Sequence, residues 1–332
     1  MKIRNIGEVG LIERILSRLT GASACQNTDV LVSPGDDAAV WQGQSGKELI
    51  TTDTLVEGTH FDLGYMNWDD LGWKSMAVNI SDIAAMGGEP LYAVVSLGLP
   101  ADLDVDNVDQ FYEGALELAK REKVVILGGD VVKSRDIFVT IAMIGRIQHG
   151  ILSRSCAREG DLVGVTGPIG SSAAGMQYLQ KRATLGTGDV QVLKDAHLRP
   201  NPKVKEGLIL SKQGVKAALD ISDGLVTDLS KMCLASKVAA EVEIDEIPVL
   251  EVVRQSFPKK HQEVVLNGGE DYQILFAAPL DVCKQVMPLL SGAAIIGSIV
   301  EGSPGNVTVH SDSGEKLNSS PGWDHFFTTT DS

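Results

Sequence analysis

Cysteine is scarce: Cys25, Cys156, Cys233 and Cys283 are the full set, and no CxxC or Cys/His spacing connects them. Zinc sites and structural disulfides are therefore disfavoured, and four free thiols in a reducing compartment are expected. Aromatic residues make up only 5% of the chain and the basic residues are dispersed, so the stacking platforms and basic stripes of a single-strand binder are missing. Positive charge is also short, with 29 Lys and Arg against 44 Asp and Glu, a formal charge of −15. This argues against non-specific attraction to nucleic acid or to an anionic membrane surface. No apolar run approaches the roughly 18–20 residues of a bilayer span. The opening stretch MKIRNIGEVGLIERIL carries acids where a signal peptide needs an unbroken apolar segment. A cytoplasmic protein without nucleic-acid or membrane partners is expected. The common nucleotide signatures are absent too. There is no GxxxxGK[ST], since GQSGKE at 43–48 is too short and lacks the Ser/Thr, no GxGxxG follows a strand, and there is no HRD or DFG pair.

What remains is an ordinary globular composition, 43% hydrophobic and 22% charged over 332 residues, long enough for two domains. Segments rich in Val, Ile and Thr at 48–61, 91–100, 124–132 and 137–147 read as strands, and 68–86 and 105–120 carry helical spacing with Gly87 and Gly88 as a stop signal. The grammar repeats after residue 160. DLVGVTG enters a Gly-rich turn, SSAAGMQYLQKR opens a helix with Ser171 or Ser172 as its expected cap, and KEGLILSKQG ends a helix at Gly214. AALDIS, QILFAAP and AAIIGSIVE add strands. The weakest composition boundary lies at 149–160, which places one α/β (α+β) domain at 1–150 and a second at 151–332.

The acids occupy unusual positions. Asp36 and Asp37 lie in SPGDDAAV, Asp53 in LITTDTLVEGTHF, Asp82 in VNISDIAAMGGEP, Asp130 in VVILGGDVV, Asp220 and Asp223 in ALDISDGLVTD, and Glu270 and Asp271 in LNGGEDYQILF. Each is embedded in apolar and small residues, hardly a Lys or Arg beside it. A half-buried carboxylate without a cationic partner either raises its pKa or recruits a cation, because desolvation and like-charge repulsion oppose ionisation. Asp–Gly and Gly–Gly–Asp are turn chemistry first. Five or six acids beside strand ends nevertheless match the cleft where α/β proteins bind ligands. Oxygen ligands without His or Cys favour Mg²⁺ or Mn²⁺ over zinc, and magnesium implies a phosphorylated substrate. The turn TGPIGSSAAG either presents backbone N–H groups to such a phosphate or is loop packing.

Ten segments, taken in order, resemble the thiamine-monophosphate kinase family of the aminoimidazole-ribonucleotide-synthetase-like superfamily. They are GDDAAV (35–40), TTDTLVEGTHF (51–61), KSMAVNISDIAAMGGEP (74–90), LGGDVVKS (127–134), LSRSCAREGD (152–161), VTGPIGSSAAG (165–175), LRPNP (198–202), DISDGL (220–225), GGEDYQILF (268–276) and GWDHF (322–326). The resemblance implies a two-domain fold that dimerises through its N-terminal sheet, ATP as co-substrate, thiamine monophosphate as acceptor and several Mg²⁺ ions. It places metal ligands on Asp36, Thr51, Thr52, Asp53, Asp82, Asp130, Asp220 and Asp223. ATP contacts fall on Gly129, Asp130, Arg154 and Ser222, and the thiamine phosphate side on His60, Glu270 and Trp323. Read as residues alone, His60 and Trp323 are equally compatible with core packing, and Arg154 with a surface salt bridge. No general base is expected, because an acceptor phosphate with its second pKa near about 6 is largely a dianion at neutral pH. Superfamily relatives that activate a carbonyl or selenide fit less well, since the tail FFTTTDS lacks a terminal cysteine and Cys25 sits in GASACQNTD.

Overall fold

The computed structural model describes residues 2–21, 30–32, 40–41, 43, 46–181, 190–257, 261–311 and 316–317. Asp36, Asp37 and Trp323 lie outside these residues. The chain divides into two compact units, 1–83 with 88–148, and 84–87 with 149–332.

The first unit comprises α1 (Ile3–Gly21), β1 (Val30–Val32), β2 (Val40–Trp41), β3 (Lys47–Val56), α2 (Trp68–Ala85), β4 (Gly88–Leu99), α3 (Val105–Glu122), β5 (Val125–Lys133) and β6 (Phe138–Ile147). Four strands form a sheet in the order β3-β6-β4-β5, antiparallel except for the β4–β5 pair. The side-chain period of two gives that sheet distinct faces. Ile141 and Met143 of β6 are fully buried and pair with Asp53 and Thr51, while Thr52 and Thr54 alternate to the other face. Thus β3 is an amphipathic edge strand. Ile50 (79% exposed), Val94 and Val132 give the open face an apolar character.

The helix α2 is buried along nearly its whole length, including Lys74. It meets α3 through two glycines: a Cβ on Gly72 would lie 1.9 Å from the Phe111 carbonyl oxygen, and one on Gly114 would lie 1.8 Å from that of Asp69. The helix backbones touch there, and no side chain fits between them. Gly114→Ala should therefore cost about 1–3 kcal/mol through overpacking, although Ala is the better helix former. A melting temperature equal to that of the parent would show that the helices part without penalty.

The second unit contains β7 (Leu162–Val165), α4 (Ser171–Leu179), α5 (Val190–Leu198), α6 (Val204–Lys212), β8 (Ala217–Asp220), α7 (Leu225–Ser236), β9 (Ala239–Glu243), α8 (Glu251–Ser256), α9 (His261–Asn267), β10 (Ile274–Ala278), α10 (Leu280–Val286), β11 (Ala294–Val300), β12 (Val307–His310) and β13 (Lys316–Leu317). Its seven-stranded sheet runs β13-β12-β9-β11-β7-β10-β8, with β12–β9 the parallel pair. Central strands are covered on both faces, which explains their continuous apolar runs. Leu275 and Ala277 of β10 enter one core with Leu225, Leu229 and Met232 of α7. Ile274, Phe276 and Ala278 enter another with Leu210 of α6 and Val286 of α10. The cysteines Cys156, Cys233 and Cys283 are free thiols.

Candidate functional site

The acids do not all end strands. Asp53 and Asp130 lie within β3 and β5, and Asp82 lies within α2; Asp220 alone among these four closes a strand. A run of apolar residues around an acid signals burial, but not which element carries it.

In the first unit the buried face of β3 meets α2. Thr51 Oγ1 donates to Asp82 Oδ2 at 2.5 Å, and the backbone N–H of Asp53 donates to Asn79 Oδ1 at 3.1 Å. Spacing of Asn79 and Asp82 by three residues puts both on one helix face, opposite alternate residues of the strand. Thr51, Asp53 and Asp82 are thus gathered, with Asn79 as a support that composition did not single out. Thr52 points to the other face, its Oγ1 donating to the Ile141 carbonyl at 3.0 Å. His60 closes the turn after β3, its Nδ1 accepting the Val56 N–H at 3.1 Å, which leaves Nε2 to carry the proton of the neutral ring.

Asp130 stands apart from this group. Register links Asp130, Ser96, Thr140 and Thr54 in one row across the open face. Because β3 and β5 are opposite edges of the sheet, three spacings of about 4.8 Å separate them, or about 14 Å. Gly128, at φ 143°, and Gly129, whose added Cβ would lie 1.7 Å from the Val95 carbonyl oxygen, permit the irregular β5 backbone that presents Asp130.

In the second unit two loops meet at the ends of β8 and β10. The Glu270 N–H donates to the Ser222 carbonyl at 2.8 Å, Tyr272 N–H to Ile221 at 2.9 Å, and Ile221 N–H to Gln273 at 2.8 Å. The nucleotide-side Ser222 and the acceptor-side Glu270 of the sequence reading are therefore joined directly. Asp220 ends β8, and Asp223 follows in the loop before α7. That loop is held by Asp228, which is almost fully buried: Oδ2 accepts the N–H groups of Ser222 at 3.0 Å and Asp223 at 2.9 Å. Lys231 donates to Asp228 Oδ1 at 2.8 Å and also to Asp223 Oδ2. Burial pushes the Asp228 carboxyl up, against the opposing pull of Lys231. Asp228 and Lys231 were legible only as a helical i, i+3 pair. Arg154 is exposed before β7, its carbonyl accepting from Ser236 Oγ at 2.8 Å.

The Gly-rich turn before α4 is capped from a distance. Gly170, at φ 84°, is the N-cap, and neither Ser171 nor Ser172 caps through its side chain. The Asp271 carboxylate instead accepts the N–H groups of Gly170 at 2.6 Å and Ser172 at 3.1 Å. These donors are thereby engaged, so the turn is not an open phosphate cradle in this state. Burial pushes the Asp271 carboxyl up to about 7, against the backbone donors that favour its charged form.

Among the described residues no cluster of three or more His, Cys, Asp or Glu stands together as a metal site. Each locality supplies one or two carboxylates with hydroxyl or carbonyl oxygens. That donor chemistry fits Mg²⁺, which completes an octahedron with waters and substrate phosphates and not with a full protein cage.

The fold is a pair of mixed α/β units whose sequence carries no P-loop motif, and the sequence matches the AIR synthase related protein models, the N-terminal domain over 35–147 and the C-terminal domain over 158–310. A thiamine-monophosphate kinase of Bacillus subtilis is 36% identical over 312 residues, covering 90% of this chain and 95% of its own. The crystal structure of thiamine-monophosphate kinase from Stenotrophomonas maltophilia K279a superposes with a TM-score of 0.80 at 32% identity, covering 94% of this chain and 98% of that one. The structure of AaThiL complexed with AMPPCP and TMP gives a TM-score of 0.77 at 34% identity, over 98% and 99% of the two chains. This chain belongs to the thiamine-monophosphate kinase family.

Proposed function

We propose that this protein transfers the γ-phosphoryl group of ATP to thiamine monophosphate, yielding ADP and thiamine diphosphate, the last step in making that cofactor. An oxygen of the acceptor phosphate forms the new bond to Pγ as the bond from Pγ to the ADP oxygen breaks, in line. The observation that carries this reading is family membership over the whole chain, with a relative of the same fold bound to AMPPCP and TMP. Asp53, Asp82, Asp220 and Asp223, with Thr51, would hold Mg²⁺, as would Asp36 from outside the described residues. The ions supply charge neutralisation between two polyanions. The acceptor dianion needs no general base. Gly129, Arg154 and Ser222 are assigned to ATP, and His60, Glu270 and Trp323 to thiamine monophosphate.

The reading includes a homodimer. Thr52 and Asp130 occupy the open sheet face, which carries exposed Ile50, Val94 and Val132, and burial of that face against a second copy would cover them. With the β5 edge of each copy beside the β3 edge of the other, Asp130 of one copy would also reach the edge that carries Asp53 of the other. On this view 1–150 is the ATP-, Mg²⁺- and dimer-forming domain, 151–332 is the C-terminal domain, and the enzyme works in the cytoplasm. No helix among the described residues is long and apolar enough to cross a membrane.

The acceptor is tested by ADP release with thiamine, thiamine monophosphate and thiamine diphosphate in turn. Turnover is expected with the monophosphate alone. Phosphorylation of free thiamine with the monophosphate ignored would overturn the assignment.

A further inference from the structure

We propose that His197, steadied by Ser172, is a positioning residue for the Glu270 carboxylate. The inference rests on the reading of Glu270 as an acceptor-side residue and adds what holds it. The Glu270 backbone is already fixed. Its φ of 64° and that of Tyr272, 49°, lie in the left-handed region that side-chain-bearing residues seldom adopt. The turn is tied to Ile221 and Ser222 by backbone hydrogen bonds, and to the start of α4 by Asp271.

A fixed backbone still leaves a glutamate three side-chain torsions. His197 Nδ1 stands 3.3 Å from Glu270 Oε2 and 3.1 Å from Ser172 Oγ. A proton on Nδ1 lets the ring donate to the carboxylate. The imidazole is itself buried, 2% exposed, and α5 lies hard against α4 because Gly175 has no side chain. A Cβ there would stand 1.9 Å from the Leu193 carbonyl oxygen and 3.3 Å from His197 Cβ. Asp271, the N-terminus of α4, Ser172, His197 and Glu270 thereby close a ring. Three segments far apart in sequence, 170–172, 197 and 270–271, meet in this ring. His197 directly precedes LRPNP, a segment shared with the family to which no nucleotide, metal or acceptor role fell.

A carboxylate held ready for a cationic ring loses less freedom on binding than one that must be ordered by the ligand. The gain should be specific to the acceptor.

Steady-state kinetics on the full chain, with thiamine monophosphate and ATP varied separately, test this. Glu270→Gln should raise the acceptor KM if the underlying reading is right. His197→Leu should raise that same KM about 3- to 10-fold, with kcat and the KM for ATP within about 2-fold. His197→Asn, whose amide N–H reaches the place of Nδ1, should restore the parent value. The double variant His197→Leu/Glu270→Gln should be no worse than Glu270→Gln alone, because the ring acts through the carboxylate. An acceptor KM raised by Glu270→Gln but untouched by His197→Leu overturns the positioning role and leaves Glu270 in place. An unaltered KM in Glu270→Gln overturns the reading beneath it. Additive effects, or a fall in kcat with both KM values unchanged, mark His197 as a packing residue and also overturn the proposal. Should His197→Leu fail to melt cooperatively, His197→Gln takes its place, since it keeps a polar side chain but carries its amide toward the position of Nε2.

Discussion

Asp53→Asn and Asp130→Asn, each nearly inactive alone, should regain about a quarter of parental turnover when equal amounts are mixed and their subunits allowed to exchange. The expectation follows from strand order. Asp53 is on β3 and Asp130 on β5, at opposite edges and opposite faces of one sheet, so one chain does not bring them to the same phosphate. If the two sheets close on each other so that the β5 edge of each copy runs beside the β3 edge of the other, Asp130 of each lies at the edge that carries Asp53 of the other. A mixed dimer then holds one site with both substitutions and one site with neither. Random exchange makes about half of the dimers mixed, each with one intact site of two, which gives the quarter. Were both acids to act within one chain, every site in the mixture would carry a substitution, and turnover would stay at the level of the separate variants. Sedimentation of the parent as a stable, active 35.3 kDa monomer would end the argument sooner.

The exposed apolar residues of that face could not have led to this prediction from sequence. The Val, Ile and Thr content of 48–61 and 137–147 announced strands, and the structure has β3 and β6 there. Composition does not say which residues of a half-buried strand face the helices, since that depends on register against β6. The opening helix α1 went unread because Gly7, Gly10 and scattered charges blur its pattern. Sequence expected a local cap at Ser171 or Ser172, because capping usually involves neighbours. The cap came from Asp271, 101 residues after Gly170 and 99 after Ser172. His197 left no signal for the same reason. Asp228 and Lys231 were within reach, since a buried acid three residues before a lysine on a helix is a readable pair. An apolar setting did not fix an acid's burial: Asp271 is buried, Asp53 and Asp82 are half-buried and Asp130 is exposed, because the element that carries each acid decides which way it points.

Removal of divalent metal should abolish turnover, and Mg²⁺ should restore it. Within that dependence, Asp82→Asn and Asp223→Asn should each lower kcat/KM by on the order of 10²-fold or more, several kcal/mol of transition-state stabilisation. The two positions test different localities. Asp82 accepts the Thr51 hydroxyl on the first unit, and Asp223 shares Lys231 with Asp228 on the second. Folding should survive the second change: Asp228 keeps its two backbone donors and its bond to Lys231, so the loop before α7 stays capped. An unchanged melting temperature with lost turnover therefore separates chemistry from packing. The defect should also shift the Mg²⁺ concentration needed for half-maximal rate upward, because a neutral amide is a weaker ligand for a hard cation than a carboxylate. Near-parental turnover in both variants at limiting Mg²⁺ would reduce Asp82 to a partner of Thr51 and Asp223 to a loop residue, and the lysine beside Asp223 would then be its lasting counter-ion.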